Sequence, residues 1–246
     1  NEIQAKKLVK DLKYFFKNVY FFPKREIAPY DYIAESKDLP YERIAILNKM
    51  VLQEKSKEPL IIVTTIEAVM QKMISKEELY ENIVDFKVGQ SYSIEELKQT
   101  FVKLGYERSN LIEGQGQFSI RGGIVDVGLS DKVGVRVEFW GDEVDSIRYF
   151  KIDSQRSTEM IQNITIFPAH EFITNDISKV IKKIEENYKN VDEDIELIKN
   201  GETISKIDKY FNEFYEKKDY FLDYLSEKYL IFIDENSKVE QRKENI

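Results

Sequence analysis

The sequence predicts an α/β domain interrupted by a β-rich α+β module. Three observations point to that class. LIIVTTIEAVMQKM, residues 60–73, is an unbroken β-branched run after Pro59 that passes directly into helical spacing, as a strand buried on both faces and feeding a helix would. From Gln117 to Phe167 apolar and polar side chains alternate with a period of two, and eight of the ten glycines fall between Gly105 and Gly141. Alternation with clustered glycine marks strands joined by tight hairpins and bulges. Helical periodicity then returns after Pro168, with Ile177, Val180, Ile181, Ile184 and Tyr188 on one stripe. The expected parts are residues 1–85 and 169–246 for a discontinuous outer domain with a polar tail, and 86–168 for the inserted module, which is large enough to hold its own core.

The elements follow in order. Ile3, Leu8, Leu12, Phe15 and Phe16 have helical spacing and predict a helix over residues 2–17. Val19 to Phe22 read as a short strand, and the prolines that follow predict an irregular connection up to Pro40. Tyr41 to Gln53 resume helical spacing through Ile44, Leu47 and Val51, and the helix after the residue-60 strand places Ala68, Val69 and Met73 inward. Ser75 with Glu78, and Ser93 with Glu96, fit the capping box and predict helices over 76–81 and 94–104. Gly141-Asp142 is a two-residue turn between VRVEFW and EVDSIRYF. After the stripe at 177–188, Tyr210, Phe211, Phe214 and Tyr215 form a weaker one, YLIFIDEN predicts a buried strand, and SKVEQRKENI a loose tail.

Composition excludes several chemistries. There is no cysteine, which removes disulfides, thiolate nucleophiles and cysteine-ligated metals. His170 is the single histidine, with no second imidazole for a zinc site, so its expected role is packing or a hinge. No GxxxxGK[ST] loop is present to cradle a nucleotide phosphate, so no catalytic, cofactor or metal residue is assigned. Asp234-Glu235 after YLIFI resembles the magnesium-holding end of a nucleotide-hydrolysing strand and, without that loop, reads as a relic. The net charge of −8 opposes a general DNA-binding surface, because duplex affinity comes from Lys and Arg displacing counterions. No apolar run approaches the ~20 residues that span a bilayer. NEIQAKKLVK carries neither an apolar signal core nor an initiator Met, and the chain is expected to be a fragment of a cytoplasmic protein.

At GQFSIRGGIVDV, GVRVEFWGDEVDSIRYFKIDSQRS and ITIFPAHEF the chain resembles the second domain shared by the bacterial repair protein UvrB and the transcription-repair coupling factors (Mfd). DSQRS followed by FPAHEF, with PYDYIAESKDLPYERIAIL and LIIVTTIEAVMQKM upstream, favours the coupling factors. The resemblance implies a degenerate RecA-like α/β domain split in two, with the β-rich domain inserted as the surface that docks UvrA. It implies that RNA polymerase and DNA are bound through other parts of an ATP- and magnesium-dependent DNA translocase. It places the UvrA-facing polar positions on Arg108, Arg121, Arg136 and Glu138, with Asp126 nearby. The residues suit that role: arginine is a planar fork that grips carboxylates, and Arg136 and Glu138 lie two apart, on one face of a strand. Arg121→Ala and Arg136→Glu are then expected to weaken the complex without lowering the melting temperature. The alternative is a nucleotide-dependent helicase-related or DNA-binding module of a UvrB-like protein. One departure stands out: the family continues after the aspartate with an aromatic and a proline, where this chain has Val127-Gly128-Leu129. Trp140, beside the turn, reads as core or half-buried, or as a partner anchor if exposed.

Overall fold

The computed structural model describes residues 1–25, 39–53, 58–174, 176–200 and 205–243. It divides into two compact units, Asn1–Glu78 with Ser178–Ile246, and Leu79–Ile177.

In the first unit, α1 (Glu2–Leu12) starts at Asn1, whose side chain accepts the Gln4 amide while the Gln4 side chain accepts from the amino terminus. The helix stops at Leu12, short of residue 17, because the chain turns over Lys13 to Phe15 to enter β1 (Val19–Phe22). Its buried face is Ala5 and Val9, small residues that let it lie close on its neighbours; Ile3, Leu8 and Phe15, expected inward, are exposed. The connection expected after Phe22 falls largely on residues 26–38, outside the described residues. Then α2 (Leu39–Gln53) buries the expected stripe, Ile44, Leu47 and Val51, and Met50 with it. β2 (Ile61–Thr64) pairs parallel with β1, Val19 opposite Ile61. It is half-buried rather than enclosed, since its sheet has two strands among the described residues. The helix after it, α3 (Ile66–Val69), lasts one turn, and Met73 sits in β3 (Met73–Ile74) instead of on a helix. α4 (Lys76–Glu81) begins where Ser75 Oγ accepts the Glu78 N–H at 3.2 Å.

The second unit opens with β4 (Val84–Lys87) and α5 (Ile94–Lys103), whose N-cap Ser93 accepts the Glu96 N–H at 3.4 Å. Six strands follow: β5 (Glu107–Arg108), β6 (Gln117–Arg121), β7 (Ile124–Gly128), β8 (Val133–Trp140), β9 (Glu143–Lys151) and β10 (Ser157–Ile161). They lie side by side in sequence order, antiparallel except for β5 on β6. β11 (Asn163–Ile166) returns antiparallel to β4, Val84 opposite Ile166, so the unit's first and last strands are tied together. One sheet face carries Phe118, Val125, Val127, Val135, Val137 and Ile147, all fully buried. Phe101 of α5 stacks on Phe118 at 5.3 Å between ring centroids and meets Tyr106 edge-on at 5.5 Å, which seats the helix on that face. Gly141, φ +63°, turns β8 into β9 as expected. His170 is buried, its Nδ1 accepting from the Phe172 N–H at 3.1 Å, and a Cβ on Gly105 would overlap its ring. Burial lowers its pKa to about 4, so it is a neutral packing group at pH 7.

The chain then returns to the first unit with α6 (Ile177–Asn187) and α7 (Asp192–Asn200). Val180, Ile181, Ile184, Val191, Ile195, Ile198 and Tyr210 form one core cluster with Tyr188 against it; the expected stripe supplies Val180, Ile181, Ile184 and Tyr188, while its first member, Ile177, is exposed. On α7, whose first turn carries Asp192, Glu193 and Asp194, Asp194 is buried, accepting the Tyr210 hydroxyl at 2.5 Å and pairing with Lys209 at 2.5 Å. α8 (Phe211–Phe214) leads to β12 (Lys218–Asp219), which pairs antiparallel with β3. YLIFIDEN is not a buried strand: Leu230, Ile231, Phe232 and Ile233 are all exposed, because no strand among the described residues pairs with them. The tail expected to be loose is helical as far as α9 (Asn236–Lys243).

Candidate protein-docking site

The sheet face opposite α5 divides into a covered end and an open, charged end. At the covered end Ile112, Phe150 and Ile152 form a small buried cluster under the segment before β6. Two glycines make this possible. A Cβ on Gly134 would overlap the Phe150 ring, and one on Gly128 would overlap the carbonyl oxygen of Gly114. The Val127-Gly128-Leu129 departure thus has a physical reason: position 128 has no room for an aromatic ring, and the Leu129 N–H donates to the Val133 carbonyl at 3.0 Å, a bond proline cannot make.

At the open end, register builds the charged row. Asp126 of β7 lies opposite Ser119 of β6 and Arg136 of β8, and Arg136 lies opposite Arg148 of β9. Asp126 is 1% exposed and accepts from both flanking arginines. Arg136 grips it through two donors, Nε to Oδ1 at 2.7 Å and Nη2 to Oδ2 at 2.9 Å, while Arg121 Nη2 donates to Oδ2 at 2.7 Å. Arg136 also stands over the Phe150 ring, 5.1 Å from its centroid. Hydrogen bonding to Asp126 raises the Arg136 pKa further, so the guanidinium is permanently charged. Its side chain is 18% exposed against 45% for Arg121, which also reaches the Asn110 carbonyl at 3.4 Å.

Next along β8, Glu138 lies opposite Ser146 and accepts the Ser146 hydroxyl at 2.8 Å and the Arg148 guanidinium. Trp140 continues the same alternation beyond Arg136 and Glu138 and is 86% exposed, so it is the projecting aromatic and not core. Of the five polar positions that the resemblance implies, four therefore converge: Arg121, Asp126, Arg136 and Glu138. Arg108 does not join them. It is exposed on the edge strand β5, opposite Phe118 in a parallel pair, which aligns it with the helix-covered side.

Arg148 was missed from the sequence for a local reason. A two-residue turn at 141–142 alone would set Arg136 opposite Ile147. The register shifts by one after Phe139↔Val144, so that Glu138 meets Ser146 and Arg136 meets Arg148. Nothing in the residues at that point announces the bulge.

Residues 84–172, which contain this sheet, match the family described as the UvrB interaction domain. The chain carries a UvrB interaction domain. Beyond that domain, it is similar along its full length to the "Transcription-repair-coupling factor" of Bacillus subtilis, with 30% identity over 269 residues. It is also similar to the proteins so described from Haemophilus influenzae, at 28% identity over 91% of the chain, and Rickettsia typhi, at 28% over 98%. The chain spans about a fifth of these relatives' length, 20% to 22%. The charged row, the covered end and Trp140 all lie within the UvrB interaction domain.

Proposed function

We propose that this chain is a non-catalytic docking region of a transcription-coupled nucleotide excision repair factor, and that its UvrB interaction domain recruits UvrA. The observation that carries the reading is the open charged row ending in Trp140. Arginine and tryptophan are the residues most enriched at interface hot spots, and here they share one face of one strand. The full-length similarity to transcription-repair-coupling factors supplies the repair context. In this reading the first unit is the split, degenerate RecA-like domain. Its parallel β1–β2 pair and two-segment construction are consistent with that ancestry. Contacts with RNA polymerase and DNA, and ATP hydrolysis, belong to parts of the whole cytoplasmic protein outside this chain.

Co-elution of the purified chain with UvrA on a sizing column tests the proposal. A complex is expected, and its absence at ~10 μM of each protein would refute recruitment through this region.

A further inference from the structure

We infer that Lys72, Lys183 and Lys218 of the first unit form a binding site for a compact, multiply charged phosphate group. All three lie outside residues 84–172, the UvrB interaction domain, so the site goes beyond the docking reading and does not depend on it.

The register assembles the site. β12 pairs antiparallel with β3, Lys218 opposite Ile74 and Asp219 opposite Met73. Side chains alternate along such a ribbon, so Lys218 shares a face with Ile74 and, two residues earlier, with Lys72. Asp219 takes the other face, where its Oδ2 accepts the Lys76 N–H at 2.8 Å. Lys183 comes from α6. One turn before it Lys179 pairs with Glu216 at 3.9 Å, which brings that ridge of the helix beside the segment carrying Lys218. Lys72 is anchored through its carbonyl, which accepts from the guanidinium of Arg25; that side chain is buried, 3.7 Å from the Phe211 ring centroid.

Folding gains nothing from placing these three charges together. Lys183 and Lys218 are half-buried and Lys72 is exposed, and none of the three ammonium groups makes a hydrogen bond or ion pair among the described residues. Their neighbours are paired: Lys217 donates to Glu77 at 2.8 Å and Lys179 meets Glu216. Burial first, then the charges of Lys72 and Lys183, lower the Lys218 pKa, and Glu213 offsets only part of this. Glu213 is itself engaged, accepting from the Tyr188 hydroxyl at 3.3 Å and Asn187 Nδ2 at 3.2 Å. An anion seated among the lysines relieves their repulsion.

The residue type selects the anion. A carboxylate is matched by the planar fork of arginine, whereas three separate ammonium groups, each a point charge with rotatable donors, suit oxygens that point in several directions, as on a phosphate. The charge of the whole chain, −8, sets the size of the ligand. A small ligand stays within about 8 Å, the screening length at physiological salt, and meets the local positive excess; a long polyanion meets the rest of the field as well.

Calorimetric titration of the chain with pyrophosphate in about 0.15 M chloride tests this. The wild-type chain is expected to bind. Lys218→Met, which keeps an apolar stem without the charge, is expected to weaken binding about tenfold or more, and Lys72→Met, at an exposed position, about fivefold. Without ligand Lys218→Met should melt no lower than wild type, since the repulsion is gone, and pyrophosphate should raise the melting temperature of the wild type alone. Should Lys218→Met fail to fold, Lys72→Met decides. Absence of wild-type binding at ~1 mM pyrophosphate, or equal affinity of the wild type and both variants, overturns the inference. Binding of a short single-stranded oligonucleotide in place of pyrophosphate overturns the assignment to a compact phosphate. Each of these outcomes leaves recruitment of UvrA untouched.

Discussion

Arg136→Ala should destabilise the UvrB interaction domain, whereas Arg121→Ala should not, although from the sequence the two arginines read as equivalent solvated docking residues. The difference lies in what each leaves behind. Arg136 supplies two of the three guanidinium donors on Asp126 and packs over Phe150, with its side chain 18% exposed. Without it a carboxylate that is 1% exposed keeps a single donor, from Arg121. Breaking a fully buried ion pair from one side costs about 3–5 kcal/mol; partial exposure and the surviving Arg121 bond reduce this to about 2–3 kcal/mol. Arg121 is nearly half exposed and gives one donor, so its removal should cost less than ~1 kcal/mol. Thermal unfolding followed by circular dichroism, repeated in urea, measures both. Arg136→Ala should lower the melting temperature on the order of 10 °C and Arg121→Ala by no more than about 3 °C. Equal effects of the two variants, or no effect of Arg136→Ala, would refute the argument that Asp126 is held chiefly by Arg136. The charge-reversed Arg136→Glu should be worse than alanine, since it sets two carboxylates together, so its loss of binding could not be separated from loss of fold.

Three further outcomes follow from the same geometry. Trp140→Ala removes a side chain that is 86% exposed; it should leave the melting temperature within about 1 °C while weakening the UvrA complex about tenfold or more, measured by calorimetry. Gly128→Phe should destabilise by about 3 kcal/mol or more in urea titrations, because the ring meets the Gly114 backbone. For His170 the folded pKa, about 4, lies below the ordinary imidazole value, so the unfolded chain binds the extra proton first. The stability from burying neutral His170 is thus complete above about pH 6.5 and is lost as pH falls toward 4, a contribution on the order of 3 kcal/mol. His170→Gln should flatten stability across that window relative to wild type.

The parts of this fold legible in the sequence are those set by local periodicity. The β8–β9 hairpin followed from alternation and Gly141-Asp142, α5 from Ser93 with Glu96, and the Val180, Ile181 and Ile184 part of the core from its stripe, whereas Val191, Ile195 and Ile198 went unread. What escaped depends on partners distant in sequence. Leu230 to Ile233 have the composition of a buried strand, yet burial needs a neighbouring strand, and their own residues do not say whether one is there. The α1 stripe failed for the opposite reason, because close approach to β1 and β2 favours Ala5 and Val9 over the larger side chains. At the docking face the residue types were readable, but their division of labour was not. Asp126 reads as one more polar position until the register sets it between two arginines. Arg148 goes unassigned until the bulge sets it opposite Arg136, and Arg108 reads as part of the row until β5 aligns it with Phe118.

If the open face of this UvrB interaction domain holds UvrA, Arg121→Glu should break the complex, because that side chain can be reversed in charge at little cost to the fold. UvrA titrated with wild-type and Arg121→Glu chains at low and physiological salt should show a complex that weakens with salt and is lost, by about a hundredfold, in the variant. Equal affinity of the two proteins, with the variant's melting temperature unchanged, would contradict the account.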